Sequence, residues 1–266
     1  MDASHRTEVP VSLSLPSQGA CVVIPARLES TRLPRKMLLN ETGRSIIQHT
    51  YEVALQAERS SAVVVATDHP EIEREVLAFG GRCVMTSPDC QSGADRVAEA
   101  ARSLPGFDLF VNLQGDEPEF DPRSVDLLID QMLADPSCPM GTVAAPLSDP
   151  ERIADPSVVK VVLDSAGRAL YFSRSPIPYA RDPQPGDEPS CLQHLGLYAY
   201  RRAFLERLGD LPPSRLEQTE KLEQLRVLEA GETIRVGLVD KATGGIDTPA
   251  DYAAFVARCS SRRAAA

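Results

Sequence analysis

The first half of the chain alternates between short apolar runs and stretches whose apolar residues recur every three or four positions. Residues 21–24 (Cys-Val-Val-Ile), 61–67, 82–86 and 109–113 form the runs. Runs this short, rich in Val, with no polar alternation, read as strands buried on both faces. Between them lie helical patterns from Ser45 to about Ala57, from Pro70 to about Phe79, and from Gln91 to about Leu104. Another follows the fourth run, with Val125, Leu128, Ile129 and Met132 on one side. Four β-α repeats predict a doubly wound, mainly parallel α/β sheet.

The second half has a different rhythm. Residues 141–147 are strand-like. Residues 158–163 and 168–173, joined by the turn Asp164-Ser165-Ala166-Gly167, predict a β-hairpin, in a smaller β-rich part that extends to Tyr179. Residues 180–190 are rich in Pro, Gly and acid and read as a surface loop. A strand over 194–200, one helix over 216–230, a strand over 233–239 and a helix from Pro249 complete the pattern. We read 20–258 as one α/β domain, with loose tails over 1–19 and 259–266. The first tail lacks a basic start followed by an apolar core, so it does not read as a signal peptide.

Chemistry concentrates where the strands end. The first strand runs into Pro25-Ala26-Arg27, and Pro25 and Pro34 argue against a helix there. This loop carries Arg27, Arg32 and Lys36, and Met37-Leu38-Leu39 after it reads as a short strand. Cations at the C-terminal end of a parallel strand suit an anionic ligand such as polyphosphate. The bland alternative is a solvated basic loop. After the second strand, Asp68 or His69 is placed to cap a helix with Pro70 in its first turn. Ser92 and Asp95 resemble a capping box, while Gly93 allows a ligand to approach the backbone. Gln114-Gly115-Asp116-Glu117-Pro118 displays Asp116 at the sheet edge. That carboxylate either holds Mg²⁺ against phosphate oxygens or belongs to an ordinary Gly-Asp turn. Asp247 or Thr248, before Pro249, is a ready helix cap.

The order of residues in these segments is more specific than their charge. IPARxxSTRLPxK, VATDH, QSGADR, VNLQGDEP, VKVVLDSAGRALYFSRSPIPY, HLGLYAYR, LEQLRVLEAG and GIDTPADY occur in this order from about Cys21 to Val256. Together they resemble the cytidylyltransferases that activate 3-deoxy-manno-octulosonate (Kdo) for lipopolysaccharide. The resemblance implies a nucleotide-binding sheet, a dimerisation hairpin near 158–179, and the reaction of CTP with Kdo to give CMP-Kdo and diphosphate with Mg²⁺. It implies catalytic roles for Lys36, Arg32, Asp116 and Asp247, the two aspartates being metal ligands. Ala26, Arg27, Arg32, Lys36, Gln91, Ser92, Gly93 and Gln114 would bind nucleotide. Arg174, His194, Tyr198, Glu223 and Gln224 would bind sugar, although for His194 alone a structural hydrogen bond is the safer reading. Arg35 and Met37 depart from the Gly and Pro that usually flank the lysine, and Ala94-Asp95 replaces the common Thr-Glu. A cytidylyltransferase for a modified sugar acid such as 8-amino Kdo is the alternative within the class. A catalytically silent nucleotide-sugar binding module is the alternative outside it.

Composition narrows the partners. At 42% hydrophobic and 25% charged the chain is an ordinary globular one, and its net charge of −10 offers no basic face for nucleic acid. No apolar run is long enough to span a membrane. The six cysteines are scattered, without a C-x-x-C pair, which suggests reduced thiols in the cytoplasm.

Overall fold

The computed structural model describes residues 19–182 and 191–265. The tail over 1–18 and most of the acidic loop, 183–190, lie outside the described residues. The first half runs β1 (Ala20–Ala26), α1 (Ile46–Ala54), β2 (Ser60–Thr67), α2 (Pro70–Ala78), β3 (Cys83–Met85), α3 (Gly93–Arg102), β4 (Leu109–Asn112) and α4 (Pro122–Ala134). The second half runs β5 (Met140–Leu147), α5 (Pro150–Ala154), β6 (Lys160–Leu163), β7 (Ala169–Ser173), β8 (Cys191–Arg201) and α6 (Arg202–Leu208). It closes with α7 (Arg215–Glu220), α8 (Gln224–Glu229), β9 (Ile234–Leu238) and α9 (Pro249–Ala265).

The main sheet has the order β3-β2-β1-β4-β8-β5-β9, and the hairpin β6-β7 joins it through β8. Strands β3, β2, β1 and β4 are parallel neighbours, as are β5 and β9, whereas β8 runs antiparallel between β4 and β5. The chain winds outward from β1 to β3 and then returns to place β4 on the other side of β1. That reversal opens a crevice beyond the C-terminal ends of β1 and β4.

The apolar runs follow from burial on both faces. Along β1, Cys21 and Val23 enter one core with α3, while Val22 and Ile24 enter another with α1 and α4. A third, smaller core joins Leu33 of the opening loop and Ile46 to Ile246, Tyr252 and Phe255. It fastens α9 against that loop.

Three expectations are corrected. Residues 36–38 form one turn of 3-10 helix instead of a strand, because Arg35 turns the backbone into the left-handed region at φ 55°. The helix expected over 216–230 is two helices, since Lys221 at φ 56° ends α7. Apolar spacing continues across that break and so conceals it. The tail expected over 259–266 is helical through Ala265. Cys259 packs on the small core, and Arg258 and Arg262 both pair with Glu119.

Candidate active site

The crevice is built from three turns at strand ends. Beyond β4, Gly115 lets the backbone pass close to the opening loop, for a Cβ there would lie 3.1 Å from Met37 Sδ and from Pro25 O. Thr50 Oγ1 donates to Gly115 O at 2.8 Å and fixes the turn. Asp116 therefore faces the loop. Its Oδ2 accepts from Lys36 Nζ at 2.5 Å, and the same ammonium donates to Ile246 O at 2.8 Å and Asp247 Oδ1 at 3.4 Å. Lys36 is 7% exposed. Arg32, on the surface, pairs with Asp247 at 3.1 Å. The capping role at α9 falls to Thr248, whose Oγ1 accepts from Asp251 N, so the Asp247 carboxylate is left for the cations. A shared partner 2.5 and 3.4 Å away bounds the separation of the two carboxylate oxygens at about 6 Å.

Glu117 is a third carboxylate at this point. Burial, reinforced by the charges of Asp116 and Asp247, raises its pKa to about 7. Both neighbouring charges thus oppose ionisation of Glu117. Asp116 and Asp247 present two hard carboxylate oxygens that could hold a divalent cation only together with substrate and water oxygens. Among the described residues no three His, Cys, Asp or Glu side chains are grouped to hold a metal by themselves.

Two cavities flank the cluster. One, of about 750 Å³, is lined by Gln91, Ser92, Gly93, Asn112, Gln114, His194, Tyr198, Glu223 and Gln224. Every sugar-side residue named from the sequence is here except Arg174, together with the nucleotide residues from Gln91 to Gln114. The Gln224 Nε2 is buried without a partner among the described residues. Burial raises the Glu223 carboxyl and the Tyr198 phenol, and lowers His194 to about 3. His194 is therefore neutral, with Nε2 3.0 Å from Thr142 Oγ1 and its ring edge-on to Phe172. This is the structural hydrogen bond the sequence suggested, at the cavity wall. Arg174 instead donates to the backbone carbonyls of Pro156, Glu220 and Lys221.

The other cavity, of about 930 Å³, is lined by Arg27, Ser30, Thr31, Arg35, Asp68, His69 and Arg96. Arg27 donates to Gln91 O at 3.1 Å and so joins the opening loop to the rim of the first cavity. Ala26 is the buried last residue of β1. His69 caps α2, with Nδ1 accepting from Glu71 N, and Asp68 pairs with Arg96 at 3.2 Å. The capping box at Ser92 and Asp95 is formed in both directions.

Glu117 and Arg96 were not singled out from the sequence. Arg96 lies on the buried face of α3 beside Val97 and Ala100, and a charge on an apolar face was the available signal. Glu117 had none, since an acid in a turn is ordinary.

A sheet of this order with a cationic loop, paired aspartates and a polar cavity at its switch point describes a nucleotidyltransferase. The family model for Cytidylyltransferase matches residues 21–234. The chain is 47% identical over 246 residues to the 3-deoxy-manno-octulosonate cytidylyltransferase of Rhodopirellula baltica, covering 91% of this chain and 98% of that one. It is 48% identical over 231 residues to the Escherichia coli protein of the same name, covering 87% and 92%. The solved structure of CMP:2-keto-3-deoxy-manno-octonic acid synthetase complexed with CTP superposes with a TM-score of 0.86 at 45% identity, covering 92% of this chain and 99% of that one. The chain belongs to the 3-deoxy-manno-octulosonate cytidylyltransferase family.

Proposed function

We propose that this protein joins CMP from CTP to Kdo, giving CMP-Kdo and diphosphate. The anomeric hydroxyl oxygen forms a bond to the α-phosphorus, the bond from that phosphorus to the bridging oxygen breaks, diphosphate leaves, and the hydroxyl proton is released. Such transfers depend on positioning and charge neutralisation. The observation that carries the reading is Lys36 Nζ held between Asp116 and Asp247 beside Arg32, at the switch point of the sheet.

In this reading Arg27, Arg32 and Lys36 bind the triphosphate, and Lys36 steadies charge on the leaving diphosphate. Gln91, Ser92, Gly93 and Gln114 hold the nucleotide at the cavity rim, with Ala26 at the end of β1. Tyr198, Glu223 and Gln224 recognise sugar hydroxyls, and His194 shapes the wall. Asp116 and Asp247 would hold Mg²⁺, which when bound neutralises the phosphate and sugar carboxylate together. We infer a homodimer through the hairpin, supported by Leu170 at 60% and Tyr179 at 86% exposed. The six cysteines are free, which accords with a cytoplasmic setting. No helix among the described residues is long and apolar enough to cross a membrane.

Diphosphate release tests the reading, with CTP, UTP, ATP and GTP each offered with Kdo and with its 8-amino relative. CTP with Kdo should be the preferred pair. Comparable release from ATP would remove the assignment, and preference for the 8-amino acid would move it to the modified sugar.

A further inference from the structure

Arg174 follows β7 directly, yet it lines neither cavity. Its guanidinium is committed to main-chain carbonyls of two separate segments. Nε donates to Glu220 O at 2.7 Å and Nη2 to Lys221 O at 3.4 Å, while Nη1 donates to Pro156 O at 2.9 Å. The backbone N of Arg174 donates to Glu220 Oε2 at 2.9 Å, and Ser173 Oγ donates to Glu220 Oε1 at 2.7 Å. A second cation completes the brace. Lys160, fully buried, donates from Nζ to Arg174 O, Val158 O and Asp155 O.

Both braced segments form walls of the polar cavity. Ser157, Val158 and Val159 line it from one segment, and Lys221, Glu223 and Gln224 from the other. The second wall includes a backbone conformation that does not come freely to its residue. Lys221 is left-handed at φ 56°, one of two such non-glycine residues among those described, and the break it makes between α7 and α8 aims Glu223 and Gln224 into the cavity. A strained residue persists where its surroundings over-determine it. Here the restraint is Arg174 on the carbonyls of Glu220 and Lys221, and Glu220 on the backbone of Arg174.

We propose that Arg174 is a positioning residue for the sugar acid: it ties the two cavity walls together and sets where Glu223 and Gln224 meet the sugar. The proposal rests on the reading that this cavity takes the sugar acid. It differs from a direct contact between the guanidinium and the sugar carboxylate, because the hydrogen bonds that Nε, Nη1 and Nη2 donate among the described residues go to the main chain. Arginine suits the task, since its planar fork holds its N–H donors in fixed directions, whereas a lysine ammonium is a single point on a flexible stem.

The test uses the full chain, with steady-state kinetics and amide hydrogen exchange of the ligand-free protein. Arg174→Ala and Arg174→Lys should raise KM for Kdo about ten-fold or more while KM for CTP moves by less than about two-fold. The amides of 157–158 and 221–224 should exchange faster than in the wild type. Glu220→Gln, which weakens the same turn and leaves the guanidinium in place, should move both readouts in the same direction by a smaller amount. A raised KM for Kdo with unchanged exchange at both walls would overturn the proposal in favour of direct contact. Unchanged KM in the arginine variants, or no effect of Glu220→Gln on either readout, would overturn it as well. Tyr198→Phe and Glu223→Gln test the underlying reading separately. If both leave KM for Kdo unchanged, the sugar acid does not bind in this cavity, whatever the exchange shows.

Discussion

Lys36 Nζ and Asp116 Oδ2 lie 2.5 Å apart although 80 positions separate them in the chain. The ammonium also reaches Asp247, 211 positions away, so one buried cation joins the opening loop, the β4 turn and the turn before α9. Lys36→Ala should lower kcat by about 10²-fold or more, because it removes the buried positive charge that joins the two aspartates and, in the proposed reading, meets the phosphates. It also leaves Asp116 short of a partner in a half-buried turn, a cost of about 1–3 kcal/mol. Turnover near that of the wild type, measured by diphosphate release, would show the lysine to be structural only.

Asp116→Asn and Asp247→Asn should each abolish most activity and shift the Mg²⁺ requirement to higher concentration. Both keep the shape of the turn and, if the two carboxylates hold the ion as proposed, remove one hard, charged ligand. Mg²⁺ titration of activity, with circular dichroism as a control on folding, measures this. An unchanged Mg²⁺ midpoint in both variants would rule out the shared ion.

His194 makes acid stability a test of the cavity wall. Its pKa is lowered from 6.5 to about 3 by burial, so the unfolded chain binds a proton below 6.5 that the native protein refuses. Stability from this group is full above 6.5 and is lost as pH falls towards 3, at about 1.4 kcal/mol per unit. His194→Gln should flatten the fall of Tm between pH 6.5 and 4. An equally steep fall in the variant would locate the acid sensitivity elsewhere.

Leu170 projects from β7 with 60% of its surface exposed. If the hairpin forms a homodimer interface, Leu170→Glu should turn a dimer into a monomer in sedimentation at micromolar concentration, since a carboxylate at an apolar contact must be desolvated. A wild-type monomer, or a variant that remains dimeric, would remove the hairpin from that role.

Much of the molecule was determined by local pattern. Strands buried on both faces must be apolar throughout, so β1, β2 and β4 were legible, and helices pressed on them must show apolar residues at 3-4 spacing. Caps are local too: Ser92 and His69 act within three residues of their own positions. The chemistry of the opening loop was legible because residue order there is dense and specific. What the sequence could not decide were relationships made by topology. The bridge from Lys36 to Asp116 and Asp247 exists because α9 packs on Leu33 and Ile46 and brings its leading turn back to β1. The breaks at Arg35 and Lys221 are left-handed backbone turns that leave no mark on hydrophobic spacing. The raised pKa of Glu117 comes first from its burial and then from the charges of Asp116 and of Asp247 on a distant turn. Each is a matter of charge or strain balanced across the fold, and such balances are set by distances that no local pattern encodes.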